Sequence, residues 1–119
     1  MMSEDSGYKI LFLAVMDNGK LMAEYSDGKG SANIREVITN IIYPKISKID
    51  GERRTLKQSP YEFHYKNHDR KTYFAVTDAG FKRRIVWACL TEIDKEVTRM
   101  NIAANSSNTK KILIQKMVC

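Results

Sequence analysis

Cysteine is scarce in this chain: Cys89 and Cys119 are the only two among 119 residues. So thin a supply argues against a disulfide framework and for a reducing, cytosolic compartment. Long apolar runs are missing too, and no stretch approaches the roughly 20 apolar residues that a bilayer-spanning helix needs. The opening residues 1–7 are polar and acidic, without the basic and apolar regions of a secretory signal. They are expected to be a flexible lead into one domain covering residues 1–119. Phosphate-binding loops are also missing, because Gly28 and Gly30 lack both the required spacing and the Lys-Ser/Thr that should follow. His64 and His68 are the only histidines, and they fall on a strand and its turn rather than on one helical face. Shared metal ligation is therefore not expected. A Cys89–His64 nucleophile pair has no motif behind it, and Cys89 sits within an apolar helical pattern that favours packing. No catalytic, cofactor or metal site is expected, and the chain does not read as an enzyme.

What is present is a basic excess. Twenty Lys and Arg against fourteen Asp and Glu leave a net charge of +6. The cations are scattered over Arg53-Arg54, Arg70-Lys71, Lys82-Arg83-Arg84 and Lys110-Lys111. No aromatic residues recur on these runs as a base-stacking platform would require. A solvated surface with weak attraction to an anionic cytosolic membrane leaflet is the expected use of the charge, and no nucleic acid is expected as a partner. A basic nucleic-acid-binding domain is the alternative from a different class, which a salt-dependent affinity for DNA or RNA would reveal.

The apolar pattern predicts the elements. Residues 8–16 (YKILFLAVM) form a nearly continuous apolar run ahead of Asp17-Asn18-Gly19, as a buried strand before a turn does. Residues 20–25 alternate as its hairpin partner, and residues 27–31 read as a loop. Asn33 with Glu36 suggests a helix cap. Ile34, Val37, Ile38, Ile41 and Ile42 then make one helical stripe that should end or kink near Tyr43, before Pro44. Residues 53–57 are a strand candidate. Residues 61–66 alternate strictly, with Tyr61, Phe63 and Tyr65 on one face and Glu62, His64 and Lys66 on the other. A turn at residues 67–70 leads to a strand over 71–77.

The period then becomes helical. Phe81, Ile85, Cys89, Ile93, Val97 and Met100 mark a stripe widened by Val86, Ala88 and Leu90, with Asp78 placed to cap it. Glu92, Asp94 and Glu96 with Lys95 and Arg99 read as the exposed side of that helix, and Trp87 is expected to pack on the sheet. After a polar linker at 101–108, Thr109 can cap a short helix over 110–118 around Ile112, Leu113 and Ile114. The order β-β-α-β-β-β-α-α predicts an α+β fold: a five-stranded antiparallel sheet with helices on both faces.

That order, with Tyr61-Glu62-Phe63-His64-Tyr65, Tyr73-Phe74-Ala75-Val76-Thr77-Asp78 and Phe81, resembles a longin domain of profilin-like fold. It is similar to the N-terminal domain of longin-type R-SNAREs, particularly the endosomal and vacuolar vesicle-associated membrane proteins. The resemblance runs from Tyr8 to about Val118. It implies a monomeric protein-interaction module that regulates SNARE-mediated fusion and sorting at the cytoplasmic face of vesicle, endosomal or vacuolar membranes. The implied partners are its own or another SNARE motif, trafficking adaptors and coat proteins. The family's groove between the first helix and the third strand carries over to Ile34, Ile38 and Ile41 on one wall and Thr55 and Leu56 on the other. Arg54 stands where some relatives are apolar, implying a different or more acidic partner. A SNARE motif should follow the last helix, but the sequence stops at Cys119, which fits either an excised domain or a free-standing longin protein. A small adaptin-like or trafficking-complex subunit with a related sheet is the alternative within the same class.

Overall fold

The computed structural model describes residues 10–26, 31–46, 49–58, 60–100, 111 and 113. The flexible lead at 1–7, the loop at 27–30, the linker at 101–108 and most of the final helix lie outside them. Of that last helix, Lys111 and Leu113 are described and both are helical.

Five strands form one antiparallel sheet: β1 (Ile10–Asp17), β2 (Lys20–Ser26), β3 (Arg53–Gln58), β4 (Tyr61–His68) and β5 (Lys71–Asp78), in the spatial order β2-β1-β5-β4-β3. β1 and β5 are interior strands and nearly wholly buried, which is why both carry consecutive apolar residues, Ile10–Met16 in β1 and Tyr73–Val76 in β5. Two hairpins close through two-residue turns whose central residues all have positive φ: Asn18 (53°) with Gly19 (87°), and Asp69 (55°) with Arg70 (66°). Such turns match the twist of the strands they join. Arginine is an unusual occupant of that region, and here the Arg70 carbonyl accepts from the Asn18 amide at 3.0 Å, tying the two hairpin tips together. The expected turn at 67–70 is thus narrower, because β4 runs on through His68.

One helix covers each face. On the first, Ile34, Ile38, Ile42 and Ile46 pack on Phe12, Ala14, Met16, Phe63, Tyr65, Phe74 and Val76. Helix α1 (Ser31–Val37) passes into a π-turn at Ile38–Ile42 and a 3-10 turn at Tyr43–Lys45, and Ile46 is already extended. The expected kink is present, since Pro44 sits in the first turn of the 3-10 segment. The expected cap is not: α1 begins at Ser31, so Asn33 and Glu36 lie inside the helix. The buried stripe also differs, with Ile46 joining it and Val37 and Ile41 only half-buried.

On the other face α2 (Arg83–Met100) buries Val86, Cys89, Leu90, Ile93 and Val97 against Leu13, Val15, Tyr73 and Ala75, with Leu113 added from the tail. Each large side chain so enclosed contributes about 1.5–3 kcal/mol. Ile85 and Ala88, expected on this stripe, are exposed. Asp78 does not cap α2, because it is the last residue of β5 and its carbonyl accepts the Phe81 amide at 3.3 Å. The first turn of α2 carries no acidic residue at all.

Candidate functional site: the edge strand and its two faces

β3 is an outer strand, hydrogen-bonded within the sheet only to β4, so one side of its backbone is open among the described residues. Its register fixes what each side chain faces. Leu56 lies opposite Phe63 and shares the α1 face, where Val37, Ile41 and Tyr61 are likewise half-buried against the same core. Arg54, on the same face, is ion-paired with Glu52 at 2.5 Å. Thr55 lies opposite His64 and points the other way.

The five residues carried over to the groove therefore separate. Ile34 (2% exposed) and Ile38 (4%) belong to the core floor and offer almost no surface. Ile41 and Leu56 remain half-buried and accessible at the margin of the same core. Thr55 cannot join them, since adjacent residues of a strand face opposite sides of a sheet. Its hydroxyl instead bonds His64 Nδ1 at 2.8 Å. Strand alternation contained that signal, for 53, 55 and 57 form one set and 54, 56 and 58 the other. The half-buried Val37 and Tyr61 join that margin without having been expected there.

The α2 face of β4 is a polar seam. Glu62, His64, Lys66 and His68 point from the strand to α2, whose Arg83, Trp87 and Asp94 meet them. His64 has no exposed surface. Its Nε2 lies 2.9 Å from the Thr77 hydroxyl, which already donates its hydrogen to the Asp78 carbonyl at 3.0 Å. Thr77 must then accept, so Nε2 carries the proton and Nδ1 accepts from Thr55. Burial pushes His64 down from its ordinary value to about 4, with Glu62 opposing the shift and Arg83 adding to it. The ring stays neutral at physiological pH and packs edge-on against Trp87, with centroids 5.8 Å apart. Arg53, across β3, places its guanidinium 5.0 Å from the centre of the same indole. Trp87 thus packs on the sheet as expected, and His64 is a hydrogen-bonding residue of the interior.

Asp94 is also a correction: it is 6% exposed, not part of a solvated face. Lys66 Nζ at 3.0 Å, His68 Nδ1 at 2.8 Å and Thr98 Oγ1 at 3.2 Å all reach its carboxylate. Burial alone would raise this acid, but the bonds from Lys66 and His68 outweigh it and hold the carboxyl below its ordinary range. The Tyr73 hydroxyl, buried beneath them, is pushed upward by burial and by the charge of Asp94. On the exposed side of α2, Glu92 meets Lys95 at 3.8 Å and Arg99 pairs with Glu96 at 2.7 Å. The seam is a hydrogen-bonded structural network around Trp87, with the buried Tyr73 hydroxyl left without a hydrogen-bond partner among the described residues.

A polar cleft of about 640 Å³ opens at the hairpin tips, lined by Asn18, Tyr43, Asp50, His68, Arg70 and Lys71 among others. Among the described residues no cluster of three or more His, Cys, Asp or Glu is arranged to hold a metal ion. No helix of the described residues is long and apolar enough to cross a membrane.

The chain shares 22% identity over 86 residues with "Protein transport protein SEC22" of Yarrowia lipolytica, covering 72% of this chain and 40% of that protein. It therefore spans about two fifths of the length of that curated relative. The relative carries a SEC22 name, and nothing in the match singles out the endosomal or vacuolar proteins. A family model for Longin, described as a Regulated-SNARE-like domain, matches residues 22–114. With that match over most of its length and the sheet and helices described above, the chain belongs to the longin family.

Proposed function

We propose that this longin domain is a non-catalytic protein-docking module of vesicle traffic, and that the groove between α1 and β3 receives a SNARE-motif helix or an adaptor segment. The carrying observation is that Val37, Ile41, Leu56 and Tyr61 are half-buried hydrophobics on the α1-face core, and that β3, which carries Leu56, has an open edge among the described residues. Apolar side chains seated between that helix and strand give affinity by burial, and an extended ligand adds backbone hydrogen bonds to the edge. The similarity to a protein transport protein supports a role in membrane traffic, at the cytoplasmic face of a vesicle or organelle. Ile34 and Ile38 serve this groove from below, by fixing α1 on the sheet.

An NMR titration with a SNARE-motif peptide tests the reading. Shifts should concentrate in Val37, Ile41 and residues 53–58, and Leu56→Asp should weaken binding by about tenfold or more, or about 1.4 kcal/mol. Unchanged shifts along α1 and β3 at saturating peptide would remove the groove as the docking site.

A further inference from the structure

β3 presents different chemistry on its two sides. Toward α1 it offers Leu56, half-buried on the same core as Ile41 and Tyr61, and the one cation there, Arg54, is already held by Glu52. Toward α2 it offers Arg53 and Lys57, both exposed, with Thr55 sunk between them onto His64. α2 packs on β5 and β4, leaving β3 as a shelf beside the start of the helix. That start brings Lys82, Arg83 and Arg84, all exposed, to the positive end of the helix dipole with no acid in the first turn. Two carboxylates lie in the adjoining seam: Glu62, 3.6 Å from Arg83 and 3.9 Å from His64, and Asp94, held by Lys66 and His68. Both are buried, so the shelf shows solvent its cations. Among the described residues Arg53 and Lys57 make no direct ion pair: Arg53 rests on Trp87, and Lys57 lies opposite Glu62, whose carboxylate is buried toward Arg83.

We infer that the segment docked on β3 is an extended strand alternating apolar and acidic residues. Its apolar side chains enter the α1 groove, and its carboxylates meet Arg53, Lys57 and Arg83 on the α2 side. This rests on the α1/β3 groove being the docking site. A strand added at the edge sends successive side chains to opposite faces, so one ligand samples both surfaces at once. Arg53 and Lys57, four residues apart on one face, are separated by roughly 13 Å along the strand, which the carboxylates at i and i+4 of an added strand match. Placing an acid there relieves the repulsion among these exposed cations and speeds encounter through charge.

The test uses short, end-blocked synthetic peptides that alternate Leu with Glu, Leu with Ser, or Leu with Lys. Binding is measured by calorimetry and by the fluorescence of Trp87, the single tryptophan of the chain. At low salt the Leu–Glu peptide should bind about tenfold or more tighter than Leu–Ser, with the gap closing as salt screens the contacts. The double variant R53E/K57E should reverse the order in favour of Leu–Lys. Lys57→Glu alone, which leaves the Trp87 contact intact, should move affinity the same way. Equal binding of Leu–Glu and Leu–Ser, unaffected by R53E/K57E, overturns the acidic match while leaving the groove reading in place. Leu–Glu binding that survives Leu56→Asp removes the groove reading, and the inference with it. If none of the peptides binds but vesicles of phosphatidylserine do, and R53E/K57E releases them, the shelf is a membrane contact and the inference is overturned.

Discussion

His64 shows how one side chain sets the conditions under which this domain is stable. It is enclosed, neutral and bonded at both ring nitrogens, so protonation in place breaks its acceptance from Thr55 and buries a charge near Arg83. Its folded value of about 4 lies below the ordinary 6.5, so between those values the unfolded chain binds the proton and the folded chain does not. Its contribution is complete above about pH 6.5 and drains away as the pH falls toward 4. Urea unfolding across that window should show a loss on the order of 3 kcal/mol. A His64→Gln variant should have a flatter profile, and a flat profile in the parent protein would falsify this role. Asp94 does not confound the window, because its depressed acid loses its contribution only below its ordinary value of 3.8. The alternation of residues 61–66 had already put His64 on the face away from the aromatics. Its partners were not legible, because Thr55 and Thr77 come from other strands and only the register brings them to its two nitrogens.

At the scale of elements, strands were easier to read than helix ends. Period-two alternation survives translation into a sheet unchanged, so β4 and β5 differ from expectation mainly at their termini. α1 followed a subtler rule. Residues spaced by four drift by roughly 40° per step on a regular helix, so Ile34, Ile38, Ile42 and Ile46 should spiral off the sheet. The wider π-turn at Ile38–Ile42 takes that drift back and keeps all four on the core. No local residue announces such a turn, whereas Pro44 does announce the tighter one after it. Ile38→Ala should therefore cost about 2–5 kcal/mol in denaturant unfolding. Ile41→Ala, on the half-exposed rim, should cost less than about 1.5 kcal/mol. Similar losses at the two positions would contradict this division between core and rim. Asp94 was misread for a related reason: charge in the sequence suggested a solvated face, but its place on α2 turns it to Lys66 and His68 of β4.

For the whole molecule, the fold class and the order of the described strands were legible because hairpin turns and apolar runs are local signals. The candidate site was legible only in part, since it depends on which side of an edge strand each residue faces. Ile41 and Leu56 stay half-buried on the same face, while Thr55 leaves for the opposite one. The sheet order has one more consequence, in time rather than in space. β1–β2 and β4–β5 close through two-residue turns, an event on the scale of microseconds. The central β1–β5 seam joins Ile10 to Thr77 across more than half of the chain, and its loop must be closed before any contact rewards it. Zipping that seam should limit the rate of folding. Val15→Ala, in the seam, should slow refolding in stopped-flow experiments, while Val97→Ala, near the end of α2, should chiefly hasten unfolding. The reverse pattern would place the barrier elsewhere. Until the seam closes, both apolar faces of each hairpin are bare, so the newly made chain is most exposed to wrong partners before its middle is joined.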